Sequence, residues 1–172
     1  MFNLIVTTFR HMESEAGSEI YSLLTEMGDV QPEINRTKVS GLFTVKTNLD
    51  PHEVIQKIRK IVQDEPWNVR YIQRLIVVDI VINTNISDIK EEVKKLASRI
   101  GKHETFRITI EKRYSNLVSS DIIKNIADVI ERKVSLDIQD WLVLIEIIGE
   151  YTAISVIRPD TMFSTMKIKR EL

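Results

Sequence analysis

The 172-residue chain has no cysteine, which removes disulfides, thiolate metal sites and cysteine nucleophiles together. Its five glycines (Gly17, Gly28, Gly41, Gly101, Gly149) are dispersed. No phosphate-cradling loop or dinucleotide fingerprint can be written without clustered glycines. The three histidines (His11, His52, His103) are isolated, with no second ligand at metal-binding spacing, so neither a metal nor a cofactor is expected. No apolar run is long enough for a bilayer: the longest, WLVLIEIIG, is interrupted by Glu146. The opening MFNLIVTTFRHMESE has no basic region before its apolar residues and reads as a strand, not a signal peptide. A soluble, cytoplasmic protein with no membrane partner is the expectation. A net charge of -1 supplies no uniform basic field.

What is present is an ordinary globular composition, 43% hydrophobic and 28% charged. The length allows one domain or two small ones. Charge is partitioned along the chain. His11 to Asn35 holds six acids (Glu13, Glu15, Glu19, Glu26, Asp29, Glu33) and no base, leaving 24 basic against 19 acidic residues elsewhere. The acidic segment reads as a solvated helix face.

Periodicity orders the first half. Asn3 to Phe9 is a short β-branched strand, and Ile20, Leu23, Leu24 and Met27 fall at helical spacing before Gly28. Val30 to Asn35 and Leu42 to Thr47 form a strand pair. Asp50-Pro51-His52-Glu53 starts a helix with the face Val54, Ile58, Ile61 and Val62. Arg70 to Ile82 follows as one long β-prone stretch. The order β-α-β-β-α-β is that of the ferredoxin-like split βαβ unit.

The second half reads α-β-α-β-β. A helix with Ile89, Val93, Leu96 and Ala97 inward is capped from Ser87 and closed by Gly101. Thr105 to Lys112 alternates Phe106, Ile108 and Ile110 with Arg107, Thr109 and Glu111, a half-exposed strand. Ser119 or Ser120 caps the next helix, and a short extra strand is expected at Lys133 to Leu136. Trp141 to Ile148 suits a central strand, followed by Ala153 to Ile157. The expected class is therefore α+β, with domains at residues 1–75 and 76–159 and a polar tail at 160–172.

Two features bear on chemistry. Glu146 lies inside an apolar strand. It reads either as a pKa-shifted acid or, more in keeping with buried carboxylates generally, as a group facing solvent or paired with a base. Lys102, Arg107, and Lys112-Arg113-Tyr114-Ser115-Asn116 bracket one strand and lead into a helix start at Ser119. Cations, a stacking ring, hydroxyl and amide donors and helix N–H groups converging near one strand end would receive phosphates and an unstacked base. The alternative is an ordinary solvated strand and loop.

These residues also carry a resemblance. TFRITIEKRYSNLVSSDIIKNIADVI followed by KVSLDIQDWLVLIEIIGEYTAISVI resembles the THUMP domain, matching at Phe106, Lys112, Arg113, Ser119 or Ser120, Val134, Leu136, Glu146, Ile147 and Ser155. It departs from that pattern in the helix, where many relatives have glycine near Asn125-Ile126-Ala127. WNVRYIQRLIVVD resembles the connection in the adaptor of the tRNA 4-acetylcytidine acetyltransferase. The resemblance implies a ferredoxin-like module followed by an α/β THUMP domain. It also implies a non-catalytic tRNA-binding role, with both modules holding the acceptor stem and 3′ end for a separate acetyltransferase that acts on a D-arm cytidine. Under it, Lys112 and Arg113 would meet phosphates near the 3′ end, Arg107, Lys102 and Arg158 would extend the cationic surface, and Tyr114 would stack. Asn116 and Ser119 would offer donors, and Arg70 and Arg74 would touch the stem or pair with acids of the first domain. Thiolation or methylation systems are the neighbouring alternatives. An independent enzyme built on Glu146 and an interaction protein that homodimerises through sheet edges are the competing classes.

Overall fold

A computed structural model describes residues 1–172, which divide into two units, 1–77 with 160–172 and 78–159. In the first unit β1 (Leu4–Thr7), α1 (Glu13–Glu26), β2 (Glu33–Arg36), β3 (Leu42–Lys46), α2 (Pro51–Asp64) and β4 (Arg74–Val77) follow in order. The strands lie β4-β1-β3-β2, every neighbour antiparallel, the ferredoxin-like arrangement. Local chemistry starts α2: the Asp50 carboxylate accepts from His52 N at 2.9 Å and Pro51 occupies the first turn. Val54, Ile55, Ile58 and Val62 are then buried. At the turn before β3, Gly41 has φ +76° and a Cβ there would sit 2.7 Å from the Thr8 carbonyl oxygen, so only glycine fits.

The acidic segment is only in part the solvated face its composition suggests: Glu15, Glu26 and Glu33 are exposed, but the other three acids are engaged. Glu13 accepts from Gly41 N at 2.6 Å. Glu19 accepts from three consecutive amides, Arg70 at 2.6 Å, Tyr71 at 3.0 Å and Ile72 at 2.8 Å. Asp29, 2% exposed, accepts from the Thr47 hydroxyl, Asn48 N and Gln31 N. These carboxylates satisfy backbone donors of turns that no ladder reaches.

The second unit contains β5 (Ile80–Asn83), α3 (Ile86–Leu96), β6 (Thr105–Arg113), α4 (Ser119–Ala127), β7 (Lys133–Val134), β8 (Trp141–Ile148) and β9 (Tyr151–Ile157). The sheet order is β5-β9-β8-β6-β7, and β9 alone runs against the other four strands. Asn85, not Ser87, caps α3, accepting from Asp88 N. Ile89 and Val93 of α3 and Ile122 and Ile126 of α4 share one core with Val143, Ile145 and Ile147 of β8, so both helices cover the same sheet face.

Arg70 to Ile82 is not one strand. β4 pairs with β1, whereas β5 pairs with β9 in the other sheet. Asp79 between them donates its amide to Ile154 O, and its carboxylate accepts from Val156 N and Arg99. Residues 160–172 are likewise not a free tail. β10 (Phe163–Ser164) pairs with β4, extending the first sheet, and α5 (Thr165–Arg170) follows it. Phe163 and Ile168, both buried, are the apolar residues that bring this segment back.

Candidate nucleic-acid interface

Strand geometry separates the expected basic cluster. β6 spans nine residues, so its ends lie about 26 Å apart at a rise of ~3.3 Å per residue. Lys102 and Arg158 belong to its start, and Lys112 to Asn116 to its end. One convergent site is therefore replaced by two separate ends.

The start of β6 is a closed clasp. Glu104 accepts from Gly101 N at 2.9 Å and Trp141 Nε1 at 3.0 Å and pairs with Arg158. The Arg158 guanidinium stacks 4.0 Å over the Trp141 ring. The hydrogen bond from Arg158, then those from Trp141 and Gly101, hold the Glu104 carboxyl down at about 2. Arg158 is thus paired within this clasp, with its side chain still 48% exposed. Arg107 is exposed and donates to Leu136 O at 3.2 Å. Lys102 is exposed.

The end of β6 is more open, and there the Lys112-Arg113 couple divides. Adjacent strand residues face opposite sides of a sheet. In the β6–β8 register Lys112 lies opposite Ile147, whose side chain belongs to the helix-covered core, and Arg113 lies opposite Ile148. On the helix side, Lys112 Nζ donates to Leu117 O at 2.6 Å, which sets its ammonium beside the loop leading to α4. On the other side, Arg113 is bound at 2.9 Å to Glu146, whose side chain is 3% exposed. Glu146 is therefore a paired structural carboxylate. Arg113 is its counter-ion before it is anything else, whereas Lys112 has no carboxylate partner.

Neither Ser119 nor Ser120 caps α4. The cap position is Val118, which has no side-chain acceptor, so the two serines stand in the first turn. Asp121 N and Ile122 N donate to Val118 O, leaving the Ser119 and Ser120 amides at the positive end of the helix. Tyr114, 72% exposed, takes φ +56°, uncommon for a non-glycine residue, and Asn116 is also exposed. Lys112, Tyr114, Asn116 and Ser119 thus share one strand end and loop. Parallel α/β sheets present their ligand-binding crevices at this carboxyl end.

Arg70 and Arg74 lie in the first unit, and neither forms an ion pair with its acids. Arg70 is exposed and donates from Nε to Trp67 O at 3.1 Å. Arg74 opens β4, half-buried between its neighbours Thr7 and Ser164. The sequence reading passed over Trp67, which is 62% exposed. Its signal was an aromatic placed in a Pro66–Asn68 turn, outside any apolar period. No group of three His, Asp or Glu side chains is arranged to hold a metal ion, and no helix is long and apolar enough to cross a membrane.

Residues 83–157 match the family model of the THUMP domain. Three solved structures share the fold. The crystal structure of PH1313 from Pyrococcus horikoshii is 20% identical, with TM-score 0.70 over 92% of this chain and 55% of that one. TrmN from Thermus thermophilus is 13% identical, with TM-score 0.59 over 92% and 47%. A 4-thiouridine synthetase–RNA complex with bound ATP is 15% identical, with TM-score 0.60 over 92% and 42%. The chain spans about half the length of these structures. No curated protein sequence matches it.

Proposed function

We propose, from the THUMP domain at residues 83–157, that the chain binds tRNA without itself catalysing a reaction and presents it to a separate modification enzyme. The observation that carries the proposal is the open end of β6. There a lysine without a carboxylate partner, an exposed tyrosine and asparagine, and the uncapped start of α4 stand within one loop. That set offers a cation and amide donors for phosphate or ribose and a flat surface for a base. The acceptor stem and single-stranded 3′ end are the proposed tRNA elements. The proposed enzyme is a cytidine acetyltransferase that makes 4-acetylcytidine, a reading supported by the likeness of WNVRYIQRLIVVD to its adaptor. The alternative is service to another tRNA modification, favoured by the fold shared with a 4-thiouridine synthetase.

A gel shift against total tRNA, with the 3′ CCA end intact or removed, tests the binding. Lys112→Ala weakens it several-fold and leaves the melting temperature nearly unchanged, because the exposed ammonium holds only one carbonyl. Affinity that survives Lys112→Ala at physiological salt refutes the site. The adaptor reading predicts that the purified chain turns over no nucleoside alone and stimulates an acetyltransferase supplied with tRNA.

A further inference from the structure

The outer edge of β6 is open over most of its length, because β7 covers it only at Thr105 and Phe106. Thr105 O accepts from Asp140 N and Arg113 O from Gly149 N, at the two ends of β8. The odd-numbered residues of β6 therefore turn their backbone groups towards β8. Phe106 O accepts from Ser135 N on the other side. By alternation, Ile108, Ile110 and Lys112 point their N–H and C=O groups outward, where no group of the chain meets them. The β6–β8 register runs unbroken from Phe106 to Arg113, so no bulge bends the edge away, and no proline blocks it. The free stretch, residues 107–113, is bounded by β7 at one end and by the turn at Tyr114, with φ +56°, at the other. On the helix-covered face it carries Ile108 and Ile110, both only half-buried.

We propose that this edge pairs with the same edge of a second copy of the chain, antiparallel and about a twofold axis through Ile110. Ile110 then lies opposite the partner's Ile110, Ile108 opposite the partner's Lys112 and Thr109 opposite the partner's Glu111. Every outward N–H and C=O of Ile108, Ile110 and Lys112 gains a hydrogen bond, since each of these pairs exchanges two. The limits of the free stretch select this register and a second copy as the occupant. The partner's Tyr114, where its strand turns away, falls opposite Phe106, where β7 already stands. A shift in one direction drives the added strand into β7, and a shift in the other leaves fewer pairs. The side chains suit the pairing. The Lys112 stem covers the partner's Ile108. Arg107 faces the partner's Arg113, a guanidinium already paired with a glutamate, and the partner's Glu111 stands diagonally beside Arg107. The inference is independent of the tRNA-binding reading, because it uses backbone groups and needs no RNA.

Sedimentation equilibrium of the purified chain, without RNA, reads a mass that rises with concentration from 20.0 kDa towards twice that value. Ile110→Pro sets a ring where the outward N–H stood and removes no hydrogen bond within the sheet, so it folds by circular dichroism and keeps the monomer mass. The absence of cysteine from the chain gives a second readout that does not depend on that variant. Opposed residues of a hydrogen-bonded pair lie about 5.5 Å apart at Cα, within disulfide reach, so Ile110→Cys oxidises to a covalent dimer. Glu111→Cys, whose counterpart stands two residues along the partner strand and about 8 Å away, forms none. A mass that stays at 20.0 kDa up to about 1 mM overturns the proposal. So does a dimer in which Ile110→Cys cross-links no faster than Glu111→Cys, which places the contact on another face.

Discussion

Replacing Arg113 with alanine removes the counter-ion of a carboxylate that solvent barely reaches. The Glu146 side chain is 3% exposed and the Arg113 side chain 27%. Breaking a buried pair by deleting one partner costs ~3–5 kcal/mol, since the remaining charge loses its counter-ion. Partial exposure of the guanidinium places this pair at the lower end, about 3 kcal/mol. For a unit of this size 1 kcal/mol moves the midpoint by ~4–8 °C, so Arg113→Ala lowers the melting temperature of the transition containing residues 78–159 by roughly 12–24 °C. The assay is thermal unfolding followed by circular dichroism, run on Arg113→Ala, Lys112→Ala and the double variant Arg113→Met with Glu146→Leu. The double variant recovers most of the loss because an apolar pair of similar volume strands no charge. An Arg113→Ala shift no larger than that of Lys112→Ala refutes the argument that the two basic residues have different duties.

Further outcomes follow from the other carboxylates. The Glu104 carboxyl is depressed from 4.5 to about 2, so its contribution is complete above the unfolded value and is lost as pH falls through the folded one. The acid-induced fall in melting temperature below about pH 4.5 is therefore shallower in Glu104→Gln than in wild type. Burial works to raise the Asp29 carboxyl, but the bonds from Thr47, Asn48 and Gln31 together hold it below its ordinary value. Its contribution likewise disappears in acid, and Asp29→Ala, which leaves buried donors unpaired, costs about 2 kcal/mol in urea unfolding at pH 7. Glu13, lowered chiefly by the Gly41 amide, adds to the same acid sensitivity, and Glu13→Gln reduces it.

Much of the architecture is local in origin and was legible. The two-residue alternation from Thr105, the capped and proline-started α2 and the apolar faces of α3 and α4 each arise from neighbours along the chain. The division of Lys112 from Arg113 was in principle legible too, since adjacent strand residues always part. What remained hidden was which side each would take and what waited there. The expected Ser119 or Ser120 cap failed because the helix begins one residue early: Val118, a poor capping residue, takes the extended cap conformation and both serines fall inside the first turn.

The amino-acid order by itself determined most of the succession of strands and helices, though not the break within residues 70–82 or the strand and helix of residues 160–172, together with the faces they bury and the residue types available for binding, because hydrophobic period, caps and turn residues act over a few positions. Only the tertiary structure decided the partners. It joined Arg113 to Glu146 across 33 positions and Arg158 to Glu104 across 54, set Glu19 against the amides of residues 70–72, and returned Phe163 to the first sheet. Pairings of this kind depend on distance in space, which folding sets and linear spacing does not encode.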